Sequence, residues 1–312
     1  MISIVTPIHN GLEFFPATVA SVQAQTRGDW EWLVVDDGST DGSLEYCLAI
    51  AERDSRVRVL RHPNGANLGQ SASRNLAIRH VSGDFLALLD CDDLWIPEKL
   101  DRDIATFARH PRANFLYSRI LNWYDWANPP EVSVRNQPGV LGTPCDQLLE
   151  APDVLLHLIR NLYDSACQFP ATCCLMMRRS ALSDGEELFD STCRRGFEDI
   201  VMLTKVLLRH PAVVCDDIRS FYRRHPRSFT AGTNSTTVEE EFHVIARWIT
   251  SYVSTASRPT RDAVAHALDV ALQRGARHNR KMRLLAAGRR ALPLHFREWL
   301  WQKYGKRGFV GM

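Results

Sequence analysis

The stretch that most constrains what this chain can fold into is Gly83-Asp84-Phe85-Leu86-Ala87-Leu88-Leu89-Asp90-Cys91-Asp92-Asp93. Phe85 to Leu89 is short and almost wholly apolar. That is the pattern of a strand buried on both faces, which is usual for a parallel sheet and unusual for a sheet with one wet face. At the carboxyl end of such a strand the chain enters the crevice where open α/β sheets bind ligands. Asp90, Asp92 and Asp93 would repel one another if they converged there, so their clustering makes sense with a divalent cation or several donor groups to neutralise them. The competing reading is that Asp92 and Asp93 cap the helix that Pro97 helps to begin.

The same rhythm occurs upstream. Ile2-Ser3-Ile4-Val5-Thr6 reads as a strand stopped by Pro7, and Trp30 to Val35 as a second that delivers Asp36-Asp37-Gly38-Ser39-Thr40-Asp41-Gly42 into a turn. Asp37 can accept hydrogen bonds from a ring N–H or from hydroxyls, and Gly38 permits close backbone approach; a plain Asp-Gly turn is the alternative. Val57 to Leu60 is a third strand and Asn64 to Gly69 a loop. Ser71 to His80 follows as a helix, with Arg74 and Asn75 near its start, where an arginine either faces a phosphate or stays solvated. Further strands are expected at Asn114 to Tyr117, at Cys173 to Met177 and at Val213 to Cys215. The helix opening at Phe197 begins with Glu198 and Asp199, as caps or as a carboxylate aimed into the cleft as a base.

Repeated strand, loop and helix units of this length argue for right-handed crossovers and one parallel sheet. No Gly-x-Gly-x-x-Gly and no Gly-Lys-Ser/Thr follows a strand, which removes dinucleotide enzymes and phosphate-loop hydrolases. Leu121 to Thr143 breaks the rhythm; its Trp123, Tyr124 and Trp126 are either core residues or rings that stack on a ligand. Beyond residue 230 the chain reads as helical. Thr236 with Glu239, or Thr237 with Glu240, would box a helix running to about Ser254, and a second begins near Thr260. Residues 1–230 and 231–312 are therefore expected as an α/β domain and a helical region.

Composition narrows the classes. With 45% hydrophobic and 24% charged residues, the 312-residue chain is ordinary for a soluble protein. It begins without a basic leader, and no apolar run approaches a membrane span, so a cytoplasmic location is expected. The eight cysteines lack Cys-x-x-Cys spacing and read as free, mostly buried thiols. A net charge of +2 conceals an asymmetry, because Arg274 to Met312 holds 11 Lys/Arg against Glu298 alone. Leu292, Phe296, Trp299 and Leu300 can form one apolar face there, with Arg297 and Lys303 wet. The tail is expected to meet an anionic membrane surface, the acidic body of the chain, or a second subunit of a homo-oligomer. The aspartate-rich body argues against nucleic acid as a partner.

Taken in order, Thr6-Pro7-Ile8-His9-Asn10, Val34-Val35-Asp36-Asp37-Gly38-Ser39, Asn67-Leu68-Gly69, Ser73-Arg74-Asn75, Leu89-Asp90-Cys91-Asp92-Asp93, Gly196-Phe197-Glu198-Asp199 and Tyr222-Arg223-Arg224-His225 resemble the motifs of the inverting family-2 glycosyltransferases. The resemblance covers residues 1 to about 230. It implies a GT-A fold, a Rossmann-like α/β arrangement with a mainly parallel central sheet flanked by helices, here with a helical C-terminal extension. By that likeness Asp37 recognises the nucleotide base, Thr6 and Pro7 line its pocket, Asn67 lies beside the donor, and Arg74 is near the base or diphosphate. Asp90 contacts ribose or metal-bound water, Asp92 binds Mn²⁺ or Mg²⁺, and His225 completes the metal site. Asp199 is the catalytic base, with Glu198 beside it.

The chemistry implied is transfer from a nucleotide-sugar donor, UDP-linked by preference, to a hydroxyl of a glycan or lipid-linked glycan acceptor, as in assembly of lipopolysaccharide or capsule. A divalent ion stabilises the departing diphosphate, and a carboxylate deprotonates the attacking hydroxyl. A single displacement inverts the anomeric carbon. Two other classes stay open. A noncatalytic nucleotide-sugar or glycan-binding module would keep Asp37 yet could dispense with Asp199. A nucleotidyltransferase would carry a Gly-rich basic loop where Pro7-Ile8-His9-Asn10-Gly11-Leu12-Glu13 stands.

Overall fold

The structure is a computed structural model, and it describes residues 1–124, 136–162, 167, 169–182, 185–191, 197–228 and 235–291. Strand and helix alternate at the start: β1 (Ile2–Ile8), α1 (Phe15–Gln23), β2 (Trp30–Asp36), α2 (Ser43–Arg53), β3 (Val57–Arg61), α3 (Gln70–Ile78) and β4 (Phe85–Leu88). Every residue of β1 and β2 is buried, which is why these strands show no alternation of buried and exposed positions; their polar residues, Ser3, Thr6, Glu31 and Asp36, are buried with the rest. β1 lies between β2 and β4 and is parallel to both. The strand does not stop at Pro7: pairing with β2 continues to Ile8 opposite Asp36, whereas pairing with β4 ends at Val5 opposite Leu88. Pro7 therefore sits past the last β4 pair, where its missing N–H removes no ladder bond on that side. Three parallel strands with a common direction bring the loops at His9, Asp37 and Asp90 to one edge of the sheet.

The chain continues through β5 (Leu94–Trp95), α4 (Lys99–Arg109), β6 (Phe115–Trp123), β7 (Gln137–Pro138), β8 (Leu148–Leu149), α5 (Asp153–Arg160), β9 (Leu175–Arg178), α6 (Glu198–Leu207) and β10 (Ala212–Arg223). The sheet order is β3-β2-β1-β4-β9-β6-β10-β5, with β7 added to β6 and β8 to β10. The layering is the expected α/β one, but β9 runs antiparallel to both its neighbours, β4 and β6. Cys173 and Cys174 do not lie in a strand. They form a single 3-10 turn with Thr172, because the Cys173 carbonyl accepts the Trp95 indole N–H at 2.7 Å and the Ser220 hydroxyl at 2.9 Å instead of a ladder bond. The two segments expected around Cys215 and Phe221 are one strand, β10, carried past irregular register between Cys215 and Ser220.

Helix α4 places Leu100 and Phe107 inward as its spacing requires, and with them Lys99 and Asp103. Lys99 meets Asp103 at 2.6 Å and Arg219 of β10 meets the same carboxylate at 2.7 Å, all three side chains being buried. Such a network adds little net stability but fixes the orientation of α4 on β10, since losing any member strands a buried charge.

The chain divides into two compact units, residues 1–158 with 166–231 and residues 159–165 with 232–312. The second contains α7 (Ser235–Tyr252) and α8 (Arg258–Ala291). Ile245, Ile249 and Val253 on one side and Val264, Ala267, Leu268 and Ala271 on the other are buried at helical spacing. Trp126, Gly196, the capping-box side chains at Thr236 to Glu240 and the stripe from Leu292 to Leu300 lie outside the described residues or side chains. Among the described residues no helix is long and apolar enough to cross a membrane.

Candidate active site

The loop after β4 is held from four directions. The Thr18 hydroxyl of α1 donates to the carbonyls of Cys91 and Asp93, both at 2.9 Å. Asp90 accepts Arg74 Nη2 on one carboxylate oxygen and the Thr172 hydroxyl on the other, each at 2.5 Å. The Arg223 backbone N–H donates to Asp93 at 2.9 Å, and Arg223 Nε donates to the Asp92 carbonyl at 2.7 Å. His225 Nε2 lies 2.9 Å from Asp92 Oδ2. Asp93 is wholly buried, and burial together with Asp92 and Asp90 pushes its carboxyl well above the usual range. It is the loop's structural anchor to β10; Asp90 and Asp92, both half-buried, are the members that keep an edge open.

Asp92 and His225 could hold a hard divalent cation. Their donor atoms are adjacent, and a hard cation of this kind takes its remaining positions from oxygen donors such as phosphate and water. Asp90 has its two oxygens engaged by Arg74 and Thr172, and no group of three metal-binding side chains occurs among the described residues. His225 Nδ1 is buried without a hydrogen-bond partner, while its ring lies 4.2 Å from that of Phe14.

At the end of β2, the backbone N–H of Asp37 donates to Ile8 at 2.8 Å, and its carboxylate accepts the N–H groups of Leu68 at 2.8 Å and Gly69 at 2.9 Å. Asp37 thereby fixes the Asn67-Leu68-Gly69 turn, with Asn67 exposed, and is backed by His62 at 3.5 Å. Gly38 must be glycine. Its φ is +77°, and a Cβ there would stand 2.7 Å from the Gly65 carbonyl. Thr6 is buried with its hydroxyl accepting the Trp32 indole N–H at 2.9 Å, and Pro7 is buried beside it at the end of β1.

Phe197 takes a left-handed φ of +65° and turns the chain abruptly into α6. Glu198 is buried, and its Oε1 accepts Gln70 Nε2 at 2.6 Å and Arg74 Nη1 at 3.1 Å. Asp199, half-buried, accepts the Ile200 N–H at 2.8 Å. Burial, and then the neighbouring Glu198 charge, raise its carboxyl from 3.8 to about 7, with Arg74 acting in the opposite direction. A carboxylate at that value is poised to take a proton near neutrality.

Thus Arg74 brings Asp90 and Glu198 together, and Asp92 meets His225, whereas Asp37 and Thr6 belong to a separate corner at the ends of β1 and β2. Gln70, Thr172 and Thr18 were not marked by the sequence. Gln70 stands one helical turn before Arg74, a spacing that could have suggested a shared target. Thr172 meets Asp90 across 82 positions and carries no local signal.

The sequence matches a known family. The model described as "Glycosyl transferase family 2" covers residues 3–185. The chain belongs to glycosyltransferase family 2. Its relatives include the UDP-Glc:alpha-D-GlcNAc-diphosphoundecaprenol beta-1,3-glucosyltransferase WfgD of Escherichia coli, 36% identical over 117 residues, which are 38% of this chain and 44% of that one. The putative teichuronic acid biosynthesis glycosyltransferase TuaG of Bacillus subtilis is 29% identical over 157 residues, 50% of this chain and 55% of that one. The chain thus spans about half the length of these relatives. Among solved structures, Staphylococcus aureus TarS 1–349 in complex with UDP has a TM-score of 0.64 at 19% identity, covering 88% of this chain and 71% of that one. The mannosyltransferase PcManGT of Pyrobaculum calidifontis, in complex with GDP-Man and Mn²⁺, has a TM-score of 0.57 at 17% identity, covering 96% and 82%. Those likenesses show the GT-A fold.

Proposed function

We propose that this family member transfers a sugar, with inversion, from a nucleotide-sugar donor to a hydroxyl of a glycan or lipid-linked glycan. The observation that carries the reading is the single guanidinium of Arg74 joining the Asp90-Cys91-Asp92 loop to the Glu198-Asp199 pair. One element of a donor site and one candidate base are thereby set side by side. The donor is placed with its base toward Asp37 and its diphosphate toward Asp92. Asp92 and His225 would hold a divalent ion there, which when bound supplies positive charge against the leaving diphosphate. Asp199 takes the proton of the acceptor hydroxyl as that oxygen attacks the anomeric carbon, and Asp90, fixed by Arg74 and Thr172, presents its carboxylate edge to the ribose.

UDP is the preferred nucleotide, supported by the UDP-glucose donor named for WfgD and the UDP bound to TarS. An acceptor on a lipid diphosphate is supported by the same relative's name. Asp199 supports an enzyme over a noncatalytic binding module, since a carboxyl raised by burial and by the Glu198 charge beside the donor loop suits proton transfer and is not required for binding. The test is a panel of UDP-, GDP- and dTDP-sugars, reading nucleoside diphosphate release with Mn²⁺, with Mg²⁺ and with EDTA. Metal-stimulated release from one nucleotide class supports the proposal; no release from any donor overturns it.

A further inference from the structure

We infer that Arg74 is a positioning residue which couples the donor loop to the catalytic base through Glu198, and is not itself a ligand of the donor. The inference rests on the proposed transfer reaction. By sequence, Arg74 belongs near the base or diphosphate of the nucleotide. In the fold it is 1% exposed and lies against the Phe189 ring, its guanidinium 5.2 Å from the ring centre. Its two terminal nitrogens diverge: Nη2 goes to Asp90, 16 positions away, and Nη1 to Glu198, 124 positions away. A guanidinium so enclosed cannot turn to a diphosphate without breaking a buried ion pair with Glu198 and a half-buried one with Asp90. Only arginine supplies this geometry, because its planar fork reaches two acceptors at once whereas an ammonium presents a single point charge.

Gln70 strengthens the same hold. It stands one turn earlier on α3 and donates at 2.6 Å to the Glu198 oxygen that Arg74 also reaches. Glu198 is therefore clamped by two donors from one helix face and is not free to act on an acceptor. What it does is present a fixed negative charge beside Asp199. The charged groups facing Asp199 are Glu198 on its own helix and Arg74 on α3, with Asp90 on the far side of the guanidinium. Glu198 favours the protonated base and Arg74 the ionised one, so their pairing sets the pH at which Asp199 becomes active. Any movement of the Asp90 loop is transmitted to that balance through Arg74.

The test uses the full chain and four variants, Arg74→Met, Arg74→Lys, Glu198→Gln and Arg74→Met/Glu198→Gln. Two quantities are read: UDP affinity in EDTA by calorimetry, and the pH dependence of nucleoside diphosphate release from the sugar nucleotide that wild type uses. In Arg74→Met the acid limb should move up by about one pH unit, the low end for loss of a close opposite charge, with UDP affinity within about twofold of wild type. Glu198→Gln should move the limb down. In the double variant, which leaves no stranded Glu198 carboxylate and stays readable should Arg74→Met fail to fold, the limb should return toward wild type. Arg74→Lys should keep the limb within about half a unit while turnover falls at least tenfold, since one ammonium cannot hold both carboxylates. A tenfold loss of metal-free UDP affinity in both Arg74 variants would overturn the inference, as would a limb that stays put in Glu198→Gln, or one that in the double variant remains where Glu198→Gln leaves it. A wild type that releases no nucleoside diphosphate refutes the proposed reaction instead, while an active wild type with an unmoved limb refutes only the role of Arg74.

Discussion

Replacing Asp199 by asparagine should make the protein more stable and far less active, and the two effects should follow one titration. The carboxyl lies at about 7 in the fold against an ordinary 3.8, so its shift is about three units upward. A group raised in the folded state favours folding when protonated. Its ionisation costs nothing below pH ~4, costs progressively more between about pH 4 and 7, and levels off above that, at no more than about 4 kcal/mol by linkage. Asparagine keeps the oxygen that accepts the Ile200 N–H and removes the charge. In melts at pH 8 Asp199→Asn should gain several degrees over wild type, and the gain should shrink to about a quarter of that near pH 4.5 and vanish toward about pH 3. Turnover should fall by about two to four orders of magnitude, the range for positioned proton transfer. The reasoning is refuted if the stability difference is the same at both pH values, or if the variant stays fully active.

Other consequences can be checked separately. UDP should bind with Mn²⁺ more tightly than with EDTA, and Asp92→Ala should abolish that difference in calorimetry; equal affinity in all three conditions removes Asp92 from the metal. Asp37→Asn should weaken UDP binding about tenfold or more, since a charged acceptor contributes ~1.5–3 kcal/mol, and undiminished affinity would show that Asp37 only fixes the 67–69 turn. Gly38→Ala should lower thermal stability, by about 1–3 kcal/mol for a strained left-handed residue, and an unchanged melting curve would contradict the close approach to Gly65. The full chain should co-sediment with anionic vesicles in low salt and lose them in high salt, whereas a chain ending at Gln273 should not bind; equal binding by both removes the basic tail as an anchor.

Much of the α/β unit is legible in the sequence for a physical reason. Strands buried on both faces are mostly apolar, so Ile2 to Thr6, Trp30 to Val35 and Phe85 to Leu89 announce themselves, and the carboxylates that follow mark the strand ends, although Asp36, Asp37 and Asp93 are themselves buried in the fold. The direction of β9 is not written in its residues. Leu175, Met176 and Met177 would be equally buried running either way, and only pairing across the sheet decides. The turn at Cys173 likewise depends on Trp95 and Ser220, which are distant in sequence. In the site, Asp90, Asp92 and Asp199 could be picked out by their places at strand ends and a helix start, but not the division of labour among them. Asp93 looks like Asp92 in sequence and is a buried anchor in the fold. Arg74 looks like a phosphate ligand in sequence, and its partners in the fold, Asp90 and Glu198, lie too far along the chain to be read from it.

The most direct measurement is the stereochemistry of turnover. Proton NMR during reaction of the selected α-linked sugar nucleotide, with a simple glycoside acceptor or with water, reports the anomer first formed before mutarotation. A single displacement assisted by Asp199 predicts a β product at the outset, produced by wild type and hardly at all by Asp199→Asn. An α product, or a β product formed equally fast by both, would contradict it.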